Sequence, residues 1–463
     1  MINKRGSGVL LHISSLPGKF GIGTLGEEAY SFVDFLKKSG QTYWQILPIG
    51  PTGFGDSPYQ SFSSFAGNPY FIDFDLIEKD GYLKKQDYEN INWGGSADRV
   101  DYSEIFNKRY DVFKKMYESF KNNVPSDFFK FQANNPWLSK YAEFMEEKYF
   151  FDCKKPLYEM LQYFFYKQWN DLRKYANKQG IKIIGDIPIY VATDSSDILT
   201  EPKQFLLDDN MKPKKVAGCP PDDFTPDGQL WGNPIYDWDY MKRTGYSWWI
   251  NRIKHCAELF DVIRIDHFRG FDSYYCIEPN AKNARKGEWF KGPGMDFFDK
   301  LNKNCDVSII AEDLGFITND VRELLKKCGY PGMKVLQFAF DTDGKNEYLP
   351  YNYDKNCVAY IGTHDNDTFM GWLKKAPKKA FEYLKLNESE EKNWCAVDTV
   401  MSSVANTVII TMQDLLGKDS TARMNTPSTA GNNWQWRVNK GEITDKLAEK
   451  LLTRTKLYGR LGG

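Results

Sequence analysis

The stretch VIRIDHFRGF (262–271) combines the apolar residues of a buried strand with charged residues that a core would exclude. Its valine and two isoleucines are β-branched and favour a strand. Arg264 and Asp266 lie two residues apart, so both side chains point to the same side of that strand. A structural ion pair is one explanation, but a buried pair often only breaks even in stability. We therefore expect a strand that carries chemistry at its carboxyl end.

Seven further runs resemble this strand and alternate with helical patterns along the chain. They are GVLLHI (8–13), TYWQILPI (42–49), IKIIGDIPIYV (181–191), VSIIAEDLG (307–315), KVLQFAF (334–340), CVAYIGTHDN (357–366) and the less strand-like ARMNTP (422–427). Strands that alternate with helices form βα units around a parallel sheet. Because eight such units close a barrel, the sequence predicts an α/β fold of the (β/α)8, or TIM barrel, type.

The spacing of these strands is uneven, which predicts one catalytic barrel unit (1–463) that carries two large insertions. Residues 50–180 contain helical patterns and predict an inserted, mainly helical subdomain. Residues 200–250 are rich in Pro, Gly, Asp and Trp and predict a second insertion. Residues 390–417 have a helical pattern, so we expect the chain to end in helices.

Composition excludes several classes of protein. Lysine plus arginine (61) balance aspartate plus glutamate (62), which argues against nucleic acid or an anionic membrane as a partner. The sequence contains no apolar segment of about 18 residues that would span a membrane and no signal-peptide pattern. The eight cysteines are scattered without a CxxC pair, as is typical of a reduced, cytoplasmic protein.

No cofactor or metal site is predicted. GIGTLG (21–26) fits the dinucleotide pattern G-x-G-x-x-G, but the loop SSLPGKF separates it from the preceding strand. The next strand also lacks an acidic residue at its end, so a glycine-rich barrel loop is the better interpretation. The four histidines do not form a metal-binding pattern such as H-E-x-x-H.

Three carboxylates follow predicted strands: Asp266, Glu312 and Asp365. In a parallel barrel the carboxyl ends of all strands lie on one face, so these side chains should converge. Each acid alone is more simply a solvated loop residue or a helix cap, but three on matching strand ends favour a site. Asp186 is a fourth acid in mid-strand, which we expect to support its neighbours.

The surroundings of these acids suggest different roles. Arg264 should keep Asp266 ionised, whereas the apolar run before Glu312 should raise its pKa towards the range of a general acid. Two carboxyl groups of opposed character, about 5 Å apart, are the basis of retaining glycoside chemistry. Asp365 would then bind sugar hydroxyls. His364 is a hydrogen-bond donor beside it, or alternatively a capping histidine.

Aromatic residues also point to carbohydrate. They make up 16% of the chain, and many stand beside Gly, Pro and Asp, as in GQLWGNPIYDWDY (228–240). Such loops offer flat rings to a ligand, and sugars have apolar C–H faces that can lie on them. A carbohydrate ligand is therefore expected.

Several long motifs resemble those of the amylomaltases, the 4-α-glucanotransferases (disproportionating enzymes) of glycoside hydrolase family 77 in the α-amylase clan. RIDHFRGF (264–271), AEDLG (311–315) and GTHDN (362–366) resemble the nucleophile, acid/base and third-carboxylate motifs. Further matches are LLHISSLPGKFGIGTLG (10–26), GDSPYQSFSSFAGNPYFID (55–73), GDIPIYVATDSSD (185–197), PPDDFTPDGQLWGNPIYDW (220–238) and RMNTPSTAGNNWQWR (423–437). The resemblance covers essentially the whole chain.

The resemblance implies that Asp266 is the nucleophile, Glu312 the general acid/base and Asp365 the transition-state stabiliser. Arg264 and His364 would accompany them in the donor subsite. The residues implied as further glucan contacts are Ser57 and Tyr59 at acceptor or secondary sites, Trp231 in a lid between the third and fourth strands (within 200–250), and Asp341. Two residues depart from the family pattern: Ser428 replaces a glycine and Tyr275 a tryptophan.

The expected activity is the transfer of α-1,4-glucan segments between maltooligosaccharides or to glucose, through a covalent glucosyl-enzyme. Neither a cofactor nor a metal is implied. An α-amylase-type hydrolase on the same scaffold is the nearest alternative. A noncatalytic glucan-binding protein is another, although the presence of all three acids argues against it.

Overall fold

The structure is a computed structural model that describes residues 4–53, 55–148, 153–221, 225–341, 344–388 and 390–462. The β-strands in these residues are β1 (Gly6–Leu10), β2 (Tyr43–Gln45), β3 (Lys182–Ile187), β4 (Val216–Cys219), β5 (Gln229–Pro234), β6 (Val262–Ile265), β7 (Ser273–Ile277), β8 (Gly287–Lys291), β9 (Ser308–Ala311), β10 (Gly332–Val335), β11 (Cys357–Tyr360) and β12 (Thr407–Thr411).

The α-helices in the same residues lie mainly around the barrel and between β2 and β3. They are α1 (Glu27–Lys38), α2 (Phe74–Lys79), α3 (Tyr102–Phe120), α4 (Ser126–Asn134), α5 (Leu138–Lys148), α6 (Lys155–Lys178), α7 (Ser196–Thr200), α8 (Trp238–Arg243), α9 (Ser247–Leu259), α10 (Gly294–Asn304), α11 (Asn319–Cys328), α12 (Phe369–Trp372), α13 (Lys378–Tyr383), α14 (Lys392–Ser402), α15 (Met412–Leu415) and α16 (Asp445–Leu457).

Eight parallel strands form the barrel, in the order β10-β11-β12-β1-β2-β3-β6-β9. At the seam between β9 and β10, the Ala311 N–H donates to the Pro331 carbonyl over 3.0 Å, which brings the two edges together. The sheet is therefore a nearly closed barrel, and the predicted (β/α)8 fold is confirmed. Apolar side chains of the strands and surrounding helices form one continuous core.

The eighth strand lies elsewhere than predicted. It is β12, with the sequence TVIIT, inside the segment 390–417 that was expected to be helical. Helix α14 ends at Ser402, and the following β-branched run is buried and pairs with β1 and β11. Since β-branched side chains favour strands over helices, this run completes the barrel. The prediction of a strand at 422–427 is wrong: these residues lie in the loop after a 3-10 turn at Ser420–Ala422.

Two sets of elements stand outside the barrel. Helices α2 to α5 lie in the chain between β2 and α6, and α6 itself packs against β3 as a helix of the barrel. Strands β4, β5, β7 and β8 form an antiparallel sheet in the order β5-β4-β7-β8, which the sequence analysis did not predict. It joins strands from before and after β6, so the chain on both sides of the fourth barrel strand contributes to it. No helix of the described ranges has the length and apolar character to cross a membrane.

Candidate active site

Arg264 and Asp266 share one side of β6 and the turn that follows it, as their spacing predicts. Arg264 Nη1 lies 3.0 Å from Asp266 Oδ1 and 2.6 Å from Asp186 Oδ2. The second contact arises because Asp186 on β3 is the register partner of Arg264, so their side chains are neighbours in the barrel. Arg264 is buried. Its guanidinium thus bridges two carboxylates.

The Asp266 carboxyl has a raised pKa. Burial is the main cause and raises the pKa to about 6, Arg264 opposes the shift, and the negative charge of Asp186 adds to it. The expectation that Arg264 keeps Asp266 ionised is therefore incomplete, because burial and Asp186 outweigh the guanidinium. The carboxyl is mainly ionised at neutral pH.

Glu312 follows β9 and is fixed by backbone N–H groups on both carboxylate oxygens. The N–H of His267 donates to Oε2 and that of Leu314 to Oε1, both over 2.7 Å. Burial, followed by the charge of Asp266, raises the pKa of Glu312 to about 7. The adjacent Asp313 points elsewhere and accepts from the Met333 N–H over 2.6 Å. Glu312 is thus a carboxyl that is half protonated near neutral pH.

Asp365 lies in the loop after β11 and is held as a carboxylate. His364 Nε2 lies 3.3 Å from Asp365 Oδ2, and the Asn425 side-chain amide donates to Oδ1 over 2.6 Å. Burial opposes ionisation, but His364 and the Asn425 hydrogen bond lower the pKa of Asp365 to about 2. Burial also disfavours the charged form of His364, yet the Asp365 carboxylate raises the His364 pKa.

Residues of the segment 422–427 also bond the backbone of Asp365 and His364. Arg423 donates to the Asp365 carbonyl over 2.7 Å, and the Asn425 N–H donates to the His364 carbonyl over 3.1 Å. Neither Arg423 nor Asn425 was predicted from the sequence to be a site residue. The only available signal was the motif RMNTP, in which neither residue is an acid.

Tyr59 contacts both Asp186, which lies beside Arg264, and His364, which lies beside Asp365. Its hydroxyl donates to Asp186 Oδ2 over 2.8 Å, and its ring stacks on His364 with 5.1 Å between ring centres. The Trp434 ring lies 5.8 Å from Tyr59 and 6.0 Å from His364, between ring centres. Tyr59 therefore lies among the candidate site residues, although it comes from the segment between β2 and β3.

The remaining candidates lie at different distances from the acids. Trp231 on β5 stands perpendicular to His267, with 4.7 Å between ring centres, and so reaches the turn after β6. Ser57 accepts a hydrogen bond from the Tyr59 N–H over 3.3 Å. Asp341 is exposed in the loop after β10, and within the described residues it has no hydrogen bond or ion pair with the three carboxylates. Direct contacts thus join Trp231 to the turn after β6 and Tyr59 to Asp186.

The assembled carboxyl groups differ in their protonation. Near neutral pH, Asp365 is a carboxylate, Asp266 is mainly ionised and Glu312 is partly protonated. This arrangement can provide a nucleophile and a proton donor at the same time. Within the described parts of the chain, no group of three or more His, Cys, Asp or Glu is placed to hold a metal ion.

Known proteins with the same architecture share sequence with this chain. A sequence model of glycoside hydrolase family 77, described as 4-alpha-glucanotransferase, matches residues 11–156 and 152–444. The 4-alpha-glucanotransferase of Clostridium butyricum is 49% identical over 97% of this chain and 100% of that protein. The 4-alpha-glucanotransferase of Thermus thermophilus is 41% identical over 99% of each.

Solved structures agree with these relatives. The amylomaltase from Streptococcus agalactiae in complex with acarbose superposes with a TM-score of 0.95 at 42% identity, and the match covers 99% of this chain and 100% of that one. The amylomaltase from Corynebacterium glutamicum shares the fold, with a TM-score of 0.81 at 17% identity over 99% and 75% of the two chains. The chain therefore belongs to the 4-alpha-glucanotransferase family, glycoside hydrolase family 77, and is a glycosyltransferase acting on α-1,4-glucans.

Proposed function

We propose that the chain transfers α-1,4-glucan segments between maltooligosaccharides, or to glucose, by a retaining double displacement. The observation that carries this proposal is the pair Asp266 and Glu312, which occupy adjacent strand ends and are joined through the His267 N–H. Asp266 also has a cation beside it, whereas Glu312 has a pKa of about 7. An ionised carboxylate beside a partly protonated carboxyl has the character of the nucleophile and acid/base of a retaining enzyme.

In the first half-reaction, an Asp266 carboxylate oxygen attacks the anomeric carbon and the glycosidic bond breaks. Glu312 gives its proton to the leaving 4-oxygen, which leaves a glucosyl ester on Asp266. In the second half-reaction, the Glu312 carboxylate takes the proton from the 4-hydroxyl of an acceptor glucan. That oxygen attacks the anomeric carbon, the ester bond breaks, and the α-configuration is restored.

Other residues would bind the sugar and shape its transition state. Asp365, held by His364 and Asn425, would accept hydrogen bonds from sugar hydroxyls as positive charge develops on the ring. Arg264 and Tyr59 would complete the donor subsite. Trp231 would close over the glucan and exclude water, which favours transfer to a sugar over hydrolysis. Ser57 and Asp341 are proposed as outer glucan contacts.

We also propose a functional division of the chain. Residues 1–463 form one catalytic unit, in which 50–180 is an inserted, mainly helical subdomain and 200–250 an active-site lid region. Residues 54, 149–152 and 222–224 of these insertions lie outside the described part of the structure. The contacts of Tyr59 with Asp186 and of Trp231 with His267 support a role for both insertions in the site. Scattered cysteines support a cytoplasmic location.

Incubation with maltotriose alone separates transfer from hydrolysis. Transfer conserves the number of glycosidic bonds, so we expect glucose and a ladder of longer maltodextrins with no rise in total reducing ends. An α-amylase-type hydrolase would instead give shorter products and a steady rise in reducing ends, which would overturn the proposal. Asp266→Asn is the control and should give neither result while still binding glucan.

A further inference from the structure

Two exposed aromatic side chains stand near the proposed nucleophile and acid/base, and the proposed chemistry does not use them. Trp289 lies on β8, the edge strand of the antiparallel sheet, and is 40% exposed. Phe316 lies in the loop after β9 and is 65% exposed. We call this pair the aromatic rim. Apolar rings that are exposed side by side can mark a binding site, whereas singly scattered ones are common on protein surfaces.

A buried arginine holds the aromatic rim in place. The guanidinium carbon of Arg269 lies 4.0 Å from the centre of the Trp289 ring and 5.8 Å from that of Phe316. Arg269 also donates to the Phe316 carbonyl, and over 3.2 Å to the Ser273 hydroxyl. The guanidinium thus covers part of the indole and fixes both rings, while a large part of each ring remains open to solvent. Such a preorganised surface loses little entropy on binding.

The aromatic rim is continuous with the catalytic loops. Arg269 belongs to the turn that begins with Asp266, and Phe316 to the loop that begins with Glu312. The Leu314 N–H, in the same loop as Phe316, donates to Glu312 Oε1. An acid/base must face the glycosidic oxygen, so a ring in the loop that begins at Glu312 is a candidate contact for the sugars of the leaving or accepting chain.

We propose that the aromatic rim binds an α-1,4-glucan on the acceptor side, several glucosyl units beyond the bond that is made or broken. The flat faces of Trp289 and Phe316 would lie against the apolar C–H faces of successive sugars. Because the guanidinium of Arg269 is buried against the rings, the exposed parts of the two rings are uncharged, as contact with an uncharged glucan requires. This inference rests on the proposed function, and it adds a site that selects for the length of the acceptor.

Glucan binding to the inactive Asp266→Asn background tests the site without any need for transfer. We expect Trp289→Ala with Phe316→Ala to weaken the binding of maltoheptaose by about tenfold in titration calorimetry and to leave maltotriose binding nearly unchanged. Trp289→Phe should restore much of the affinity, since a ring is kept. The matched control is Phe129→Ala, which removes another exposed ring (61%) on α4.

Transfer from one fixed donor, α-maltosyl fluoride, to acceptors from glucose to maltohexaose tests the acceptor side. In the unmodified chain the acceptor KM should fall as the acceptor lengthens, whereas the double variant should show a flat dependence with an unchanged value for glucose. An unaltered length dependence together with wild-type maltoheptaose affinity would overturn the aromatic rim. The aromatic rim would also be overturned if the substitutions changed only the oligomeric state, from a dimer to a monomer. If the chain hydrolyses without transfer, the proposed function fails, but the binding experiment still decides on the aromatic rim.

Discussion

The backbone N–H of His267 donates a 2.7 Å hydrogen bond to Oε2 of Glu312 and so joins the turn after β6 to the loop after β9. His267 adopts a left-handed conformation, with φ of 53°, which turns the chain directly after Asp266. The N–H favours the ionised form of Glu312, while burial and the charge of Asp266 favour the neutral form. The result is an acid poised near neutral pH, which suits a group that must give and take a proton in turn.

The pH dependence of kcat/KM should follow this pair. The active free enzyme needs Asp266 ionised and Glu312 protonated. Activity should therefore rise as pH increases through about 6, the pKa of Asp266, and fall as pH increases through about 7, the pKa of Glu312. Because the two carboxyl groups interact, the pKa values read from the acidic and basic limbs of the pH profile belong to the pair and not to either residue alone. Initial rates of maltotriose disproportionation from pH 4 to 9 measure the profile, and a plateau extending to pH 9 would contradict it.

Glu312→Gln should remove the proton donor without removing the nucleophile. Transfer from maltotriose should fall by about 1000-fold or more, since general acid catalysis contributes 10²–10⁴-fold. A donor with fluoride as its leaving group needs little protonation, so glucosyl-enzyme formation from α-maltosyl fluoride should be much less impaired. The rate of this step in the variant should also not decrease at high pH, because the group that loses its proton there is gone. A fluoride burst as slow as maltotriose turnover would contradict the assignment.

Asp186→Asn should move the acidic limb of the profile to lower pH. The negative charge of Asp186 raises the pKa of Asp266, so its removal should lower that pKa, and Arg264 would then have a single carboxylate partner. We also expect kcat to fall, by about tenfold, because the guanidinium loses its 2.6 Å contact and is less well positioned. Tyr59→Phe is the comparison, since it removes the hydroxyl donated to Asp186 and leaves both charges. An acidic limb that stays in place would contradict the role of Asp186.

Asn425→Ala should lower kcat by about tenfold and should add no new pKa to the pH profile of kcat/KM. The amide holds Asp365 Oδ1 at 2.6 Å and contributes to its pKa of about 2, so the variant still has an ionised Asp365 at neutral pH but a less fixed one. The control is Asn433→Ala, because Asn433 accepts from the Thr426 N–H over 3.0 Å in the same loop and does not bond Asp365. Equal losses in the two variants would point to loop folding instead of the contact with Asp365.

The barrel strands and acids were predictable where local sequence carried the signal. VIRI and SIIA are short β-branched runs directly followed by an acid, and β6 and β9 form there. TVIIT has the same character, but it follows the helical pattern of α14 closely and the sequence offered no clear break. Strand pairing with β1, about 400 residues away along the chain, and with β11, about 50 residues away, decides its conformation.

The supporting contacts of the site could not be derived in the same way. Asn425 reaches Asp365 across 60 residues of sequence, and Tyr59 reaches Asp186 across 127. An amide and a phenol carry no strand-end signature, so only the folded barrel shows which acid they hold. The rise in the pKa of Asp266 was not predicted, for a related reason. Its sequence neighbour Arg264 was visible, whereas its burial and the charge of Asp186 depend on the packing of β3 against β6.

Arg460→Ala should destabilise the whole barrel although it lies far from the acids in sequence. The guanidinium is fully buried and donates to the carbonyls of Met401 (2.7 Å), Gly6 (3.0 Å), Ala405 (3.0 Å) and Ser403 (3.1 Å). It thus joins β1 to the end of α14 and the segment that leads into β12. Truncation removes these buried hydrogen bonds and leaves a cavity beside β1, although Arg5 still donates to the carbonyls of Met401, Ser403 and Ala405.

The expected loss in the free energy of unfolding is about 3 kcal/mol, since each lost hydrogen bond costs about 1 kcal/mol and the cavity adds to it. Urea denaturation followed by tryptophan fluorescence measures it. Lys456→Ala on the exposed side of α16 is the matched control and should change stability by less than about 0.5 kcal/mol. The activity of the Arg460 variant per folded molecule should stay near that of the unmodified chain. Equal stability of the two variants would show that the barrel closes without the guanidinium.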